Sequence, residues 1–366
     1  MEERVKRMLD WHHGDRPGPS SIHLDTSNRC NLRCRFCWQR SHERKGWVDL
    51  KNELSDQRLL DLVDEAAELG VRDWLLSGGG EPMIRGDAAV RVMERIKRLG
   101  MEGDIITNGT LFTESAAESL VQAGWDRIRV SINGPVAGTH DYIVQLPGAF
   151  DRAVRSLGLI KKWKGRLGAV RPEIGFNTVI NSVNYAQFSE IIGLLHELGG
   201  CLLNVQTIIL YDNEEKKWAL DEEKRKEFAG LVRKYIKQCM RYGIRTNLGE
   251  YQDAMLMDKS NELSQMTDLM GARQDGFLGT HCFEPWYLVT VRANGIVGSC
   301  RLFGDEGTSL HTQSLGDIWY GDYYNNTRKR LIDHKLPEYC RNCGANEFVE
   351  NQKLRDAIMH RLQDNL

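Results

Sequence analysis

Between about residues 20 and 215 the chain alternates short β-rich runs with longer segments of helical period, and this alternation narrows the fold more than any other feature. The runs are SIHLD (21–25), DWLLS (73–77), DIITN (104–108), RIRVSIN (127–133), EIGFNTVI (173–180) and LLNVQTIIL (202–210). Each gap is long enough for a crossover helix, which parallel strands require and hairpins do not. Ser55 is a candidate cap for a helix whose apolar face is Leu59, Leu62, Val63, Ala66 and Leu69, ended by Gly70. A second helix presents Phe188, Ile191, Ile192, Leu195 and Leu198 and stops at Gly199. Six βα units fall two short of a closed eight-stranded barrel. The expected fold is α/β, an open partial (β/α)6 barrel with its working residues at the C-terminal ends of the strands.

Around this unit, residues 1–19 are expected to form an N-terminal extension and 351–366 a C-terminal helix. Residues 216–278 read as a helical bridge: DEEKRKEF opens an amphipathic segment through Tyr235, Ile236, Cys239 and Met240, with its charges as a solvated face. From about 279 the texture changes. WYLVTVRANGIVGSC, with a turn at Ala293-Asn294-Gly295, then a helical stretch and CRNC predict a small α+β domain over 279–350. Lys plus Arg of 49 against Asp plus Glu of 51 gives a net charge of -2, so no summed field favours a nucleic acid or an anionic membrane. The charged N-terminus lacks a secretory apolar run and no segment approaches the ~20 apolar residues of a membrane span, so a cytoplasmic location is expected.

None of the nine cysteines of such a chain is expected in a disulfide, and the seven that cluster are expected to be metal ligands or redox groups. Cys30, Cys34 and Cys37 follow the first strand as C-x3-C-x2-C, a soft ligand set suited to zinc, copper(I) or iron and sulfide. A closed zinc site needs a fourth ligand, which His42 could supply, whereas three thiolates leave one iron of a 4Fe–4S cluster open. The second strand runs into SGGGEP (77–82). Its glycines allow close backbone approach and Glu81 offers a carboxylate to an ammonium group, although a tight βα connection would look the same. Cys282, Cys300, Cys340 and Cys343 supply four thiolates, enough for zinc or for a second cluster. Cys201 and Cys239 read as small buried hydrophobes.

CNLRCRFC after the first strand and GGGEP after the second resemble the radical S-adenosylmethionine (SAM) superfamily. ITNGT (106–110), VSING (130–134) and TVINSVN (178–184) are similar in type and order to that family's partial barrel. The resemblance implies that Cys30, Cys34 and Cys37 hold a 4Fe–4S cluster whose fourth iron is chelated by SAM. It also implies that Phe36 packs near the adenine and that Gly79, Gly80 and Glu81 receive the SAM amino group. Asn108, Ser131 and Val179 would contact ribose, carboxylate and adenine, respectively. The implied chemistry is reductive cleavage of SAM to a 5′-deoxyadenosyl radical that takes hydrogen from the substrate, with electrons from a low-potential donor such as flavodoxin or ferredoxin. CFEPWYLVTVRANGIVGSC, LGDIW and LPEYCRNC resemble the Twitch or shortened SPASM extension. That implies one auxiliary 4Fe–4S cluster on Cys282, Cys300, Cys340 and Cys343.

An auxiliary cluster can accept the electron left on a substrate radical. The leading expectation is therefore a dehydrogenase-like oxidoreductase acting on a small-molecule substrate, a sugar or aminocyclitol alcohol. Epimerisation or dehydration of a similar molecule would use the same scaffold. The alternative is modification of a peptide or protein side chain; many such enzymes carry an N-terminal leader-recognition module, and with the first ligand at Cys30 none is expected in this chain. A metal-stapled binding module would leave GGGEP unexplained. Substrate contacts are expected from Asn181, Gln206, Tyr211, Trp286 and Arg301, the last because it follows Cys300 directly.

Overall fold

The computed structural model describes residues 2–40, 48–208, 216–251, 276–301, 303, 307–337, 339, 340, 343 and 345–364. After a first helix, α1 (Glu2–His12), six strands lie side by side in chain order, all parallel. They are β1 (Ser21–Asp25), β2 (Asp73–Ser77), β3 (Glu102–Thr107), β4 (Arg127–Val130), β5 (Glu173–Ile180) and β6 (Leu202–Thr207). Their crossovers carry α2 (Asp56–Glu68), α3 (Asp87–Arg98), α4 (Glu114–Gln122), α5 (Ala137–Val144), α6 (Ala149–Leu167) and α7 (Phe188–Glu197). Ser55 caps α2 by accepting from Arg58 N, and α2 buries Leu59, Leu62, Val63 and Ala66. Three of the six strand expectations match to the residue, and the other three need trimming or extension only at their ends or fall partly outside the described residues. β3 starts at Glu102, and β4 stops at Val130 because Ser131 N turns to Thr107 O and Ile132 N to Val130 O.

Side chains alternate across these strands. Ile22, Leu24, Trp74, Leu76, Ile105, Ile128, Phe176, Leu203 and Val205 are buried in the core shared with the helices. The other face looks into the lumen, where Asp25, Ser77, Arg129, Val179 and Gln206 are only half-buried.

The C-terminal part continues the same sheet. Beyond α8 (Glu222–Arg241), β7 (Arg245–Thr246) extends the β6 edge. On the other side β8 (Leu288–Val291) runs parallel to β1, and β9 (Ile296–Gly298) and β10 (Thr308–Ser309) follow antiparallel, giving ten strands in one sheet. Gly295, at φ +77°, makes the β8–β9 turn. Then come α9 (Leu315–Tyr320), α10 (Asp322–Ile332) and α11 (Ala345–Asp364). Val5 and Met8 of α1 join Phe283, Trp286, Leu331, Leu354 and Ile358 in a second core, so the two chain ends pack together. On α8, Tyr235 and Cys239 are buried, but Met240 faces solvent at 74% exposure, correcting the expected apolar stripe. One residue on from Cys239, it points about 100° around the helix.

A Cβ on Gly103 of β3 would fall 2.0–2.6 Å from ring carbons of the fully buried Trp125. Gly103→Ala is expected to lower unfolding free energy by about 1–3 kcal/mol, read as a lower urea midpoint at unchanged slope. An unaltered midpoint would mean that the indole has room to move aside.

Candidate active site at the mouth of the partial barrel

The loop after β1 carries Cys30, Cys34 and Cys37, and its base is pinned before the first cysteine. Glu53 Oε1 accepts from Ser27 Oγ and Asn28 N, each at 2.8 Å. Arg85 donates through Nε to Thr26 O at 2.6 Å, and through Nη2 to Leu54 O at 2.8 Å and Glu53 at 3.4 Å. Further along, Leu32 packs with Ile143 and Val144 of α5, and Phe36 lies against that cluster. Phe36, the expected adenine neighbour, thus anchors the loop on α5.

The SGGGEP turn interlocks with this base. Cβ atoms on Gly79 and Gly80 would fall 2.2 Å from Asn28 Oδ1 and 2.0 Å from Arg29 O, so any side chain would part the two loops. Gly80 N and Glu81 N donate to Ser27 O and Arg29 O, both at 2.8 Å. Glu81 is buried, and its carboxylate accepts from Met83 N (2.9 Å), Thr107 Oγ1 (2.6 Å) and Asn108 N (2.7 Å). Burial pushes its pKa up, against the pull of these three donors. Its oxygens therefore brace β2 to β3, and the ammonium contact expected of it would have to share a carboxylate already in use. Asn108 Nδ2 donates to Asn31 Oδ1 at 2.9 Å, while Asn31 Nδ2 donates to Thr110 Oγ1 at 2.7 Å, tying the cysteine loop to the ITNGT turn.

At β4 and β5 the turns are cross-linked by asparagines. Asn133 Oδ1 accepts from Val179 N at 2.9 Å, and Asn184 Nδ2 donates to Asn133 O at 3.0 Å and Val179 O at 2.9 Å. Asn133 N donates to Nδ1 of buried His140, whose pKa burial lowers to about 4, so the ring is a neutral acceptor. Ser131 and Val179 stay half-buried at the rim. Asn181 is different: it is fully enclosed, donating to Val179 O and accepting from Val183 N, and so serves the turn instead of the substrate.

Cys282, Cys300 and Cys340 are near enough for their charges to interact, and burial pushes the Cys282 thiol well up and the Cys340 thiol to about 11. Thiolates form in such a pocket when cations pair them. Backbone N–H groups already aim at one sulfur of each set: Leu32 N at Cys30 Sγ (3.4 Å) and Glu284 N at Cys282 Sγ (3.5 Å). Such bonds stabilise ligating sulfur, so both sets suit iron–sulfur clusters. Among the described residues no three His, Cys, Asp or Glu are grouped to hold a single metal ion. Cys239 is enclosed in α8 and Cys201 is half-buried beside β6.

Of the expected substrate contacts, Gln206 lies on the lumen face of β6, opposite Val179. Trp286 is a core residue, packed edge-on against Phe277 at 5.4 Å, which removes it from the site. Tyr211 lies outside the described residues, as does His42. Arg301 reaches the lumen, where its Nε donates to His23 Nδ1 at 2.9 Å. Nearby, Asp104 of β3 accepts from Arg127 and Arg129 of β4 at 3.3 and 3.1 Å. His23 and Asp25 escaped sequence reasoning, though their two-residue spacing on one face of β1 signals them; Asn31 sits inside the cysteine motif itself.

An open six-stranded barrel with three thiols beyond β1 and four more on its edge defines a class of iron–sulfur enzymes. Family models for the radical SAM superfamily and for the SPASM iron–sulfur cluster-binding domain match residues 24–216 and 282–344. The chain belongs to the radical SAM superfamily and carries a SPASM domain; its cofactors are SAM and two 4Fe–4S clusters, one SAM-binding and one auxiliary. The PqqA peptide cyclase of Granulibacter bethesdensis is 33% identical over 342 residues, 90% of this chain and 81% of that protein. An AdoMet-dependent heme synthase of Oleidesulfovibrio alaskensis is 28% identical over 193 residues, covering 53% of this chain; the chain spans only 46% of that relative's length. The solved structure of Streptococcus suis SuiB bound to S-adenosylmethionine shares the fold, with a TM-score of 0.62 at 17% identity over 89% of this chain and 72% of that one. No helix among the described residues is long and apolar enough to cross a membrane.

Glu81→Gln replaces an acceptor oxygen by an NH2 group, which must face one of three donors. The variant is expected to lose about 1–3 kcal/mol of stability in urea unfolding and to bind SAM more weakly in equilibrium dialysis of the cluster-loaded protein. Normal values in both measurements would sink the bracing role.

Proposed function

We propose that this radical SAM enzyme modifies a side chain of a peptide or protein, with the reacting C–H bond held in the lumen between the two cysteine sets. The observation that carries the reading is the alignment with a PqqA peptide cyclase, which spans nine-tenths of this chain and so reaches into both units. A sugar or aminocyclitol alcohol was expected from the single auxiliary set of cysteines. That expectation rests on a ligand count, whereas the cyclase alignment rests on 342 residues.

Cys30, Cys34 and Cys37 are assigned to the SAM-binding cluster and Cys282, Cys300, Cys340 and Cys343 to the auxiliary one. When bound, SAM and the clusters supply the one-electron chemistry that breaks a substrate C–H bond. The chain's own residues do the positioning. The Gly78–Gly80 turn, Asn108, Ser131 and Val179 form the rim on which SAM would lie, and Phe36 holds the loop against α5 beside it. A bond made with loss of two hydrogens is a net two-electron oxidation, the oxidoreductase class that a second redox site serves. The reductant is a low-potential donor of the ferredoxin or flavodoxin type, and the location is the cytoplasm, where the thiols stay reduced.

Anaerobic reconstitution should load about eight irons per chain. With SAM, a reductant and the product of a neighbouring short open reading frame, 5′-deoxyadenosine should form and the peptide should lose two hydrogens by mass spectrometry. Replacing Cys30, Cys34 and Cys37 together by Ala should remove about half of the iron and all SAM cleavage. Peptide recovered unchanged, while an aminocyclitol stimulates 5′-deoxyadenosine release, would reverse the choice of substrate.

A further inference from the structure

Electron transfer falls off steeply with distance, so a donor to the SAM-binding cluster must dock near the loop of Cys30, Cys34 and Cys37. Residues 29–40 of that loop contain four arginines and no carboxylate, in a chain whose net charge is -2. Arg29 is shared with Glu53 at 3.8 Å. Arg33 and Arg35, on either side of Cys34, are placed by the backbone. Arg33 N donates to Val144 O at 3.2 Å and Arg35 N to Ile143 O at 3.0 Å, so the loop closes the C-terminal end of α5. Leu32, Cys34 and Phe36 pack inward with Ile143 and Val144, which leaves the alternate residues, Arg33 and Arg35, on the outer side.

Arg33 is exposed. Arg35 is held flat: its Nε donates to Tyr142 O at 2.9 Å, and its guanidinium lies 4.3 Å from the centre of the Tyr142 ring and 5.2 Å from that of Trp218. Tyr142 remains 50% exposed in spite of this stacking. The neighbouring acid, Asp141, accepts from Gly148 N and Phe150 N at 2.6 and 2.8 Å and so is turned to the α5–α6 connection. A helix C-terminus attracts cations, which accounts for an arginine here but not for an exposed aromatic stack beside it. Tyrosine, tryptophan and arginine are the residues that interfaces and their hot spots favour.

We propose that the face built from Arg33, Arg35, Tyr142 and Trp218 is the docking surface of the electron donor, a small acidic one-electron carrier that delivers its electron across the cysteine loop. The carrier loses one electron and the SAM-binding cluster gains it; no bond breaks and no proton moves. A chain of net charge -2 has no overall attraction for an acidic protein, so the attraction must be local, and a local patch also steers the approach. The inference rests on the donor class named above and not on the choice of substrate.

The test uses the cluster-loaded enzyme with SAM, two acidic carriers, a flavodoxin and a 4Fe–4S ferredoxin, and dithionite as a small donor. Binding of each oxidised carrier is read by calorimetric titration. At least one should bind, and more weakly as salt rises from about 0.05 M to about 0.5 M. Arg33→Glu should weaken that binding about tenfold, Arg33→Lys should restore most of it, and Tyr142→Ala should weaken it about threefold. Arg91→Gln, at an exposed ion pair on α3, should leave it unchanged. The ratio of carrier-driven to dithionite-driven 5′-deoxyadenosine formation should fall in step with affinity. Carrier binding that survives Arg33→Glu intact would overturn the proposal. So would an equal fall in the dithionite-driven rate and in iron content, since Arg33 would then serve the cluster loop. If Arg33→Glu weakens retention of a peptide or splits a dimer and spares the carrier, the face belongs to the substrate or to a second copy, and the proposal fails. Should neither carrier bind or reduce the unaltered enzyme while dithionite does, the donor class itself is wrong and the docking face falls with it.

Discussion

β1 is hydrogen-bonded along both edges, to β2 on one side and to β8 on the other, and the site depends on that double pairing. Ser21 is opposite Asp73 in one ladder and Leu288 in the other, so each ladder fixes the register of the other. A slip of one residue would turn Ile22 and Leu24 into the lumen and His23 and Asp25 into the helix layer. No such slip is affordable with Ile22 and Leu24 fully buried. The first cysteine loop leaves the end of this strand, and Cys282 and Cys300 of the second set flank the β8–β9 hairpin beside it. The spacing between the two sets is thus a property of the sheet, not of the loops that carry the thiols.

At the mouth, three loops are joined by side chains that sequence periodicity does not rank. A buried carboxylate is costly, and Glu81 offsets part of that cost by accepting from three donors on two segments. Asn31 and Asn108 extend the network to the cysteine loop, and Glu53 with Arg85 pins that loop from below. The rim therefore comes preorganised: its shape is set by internal hydrogen bonds before any ligand contributes. This also explains why three consecutive glycines stand after β2. Cβ atoms on Gly79 and Gly80 would meet the neighbouring loop, and one on Gly78 would meet the carbonyl of Gly80.

What was legible in the sequence was local. Period-two and period-3.6 patterns located six strands and the helices at Ser55 and Phe188, because burial of one face leaves its trace in consecutive residues. The continuation of the sheet through β8 was not legible. LVTV is a four-residue strand buried throughout, and nothing in it names β1 as its partner. Site residues divide in the same way. Arg301 was found because it adjoins an expected ligand; Trp286, four residues after Cys282, turns instead into the core with Phe277 and Phe283. Nearness along the chain constrains where a backbone is, and packing decides where the side chain points.

The sheet's open form bears on what can reach the lumen. β7 and β10 are the two ends of the ten-strand order and do not pair with one another. A closed barrel admits only what passes through its mouth, which favours a small molecule. An unclosed sheet imposes no ring, so a segment within a longer chain can be presented to the lumen without being threaded by its end. The polar lining follows from the same geometry. Eight strands would bring opposite walls together around aliphatic layers, whereas here His23 and Asp25 of β1 and Arg127 and Arg129 of β4 stay half-buried on the inward face. The unclosed sheet and the polar inward face of β1 and β4 are therefore two aspects of one geometry.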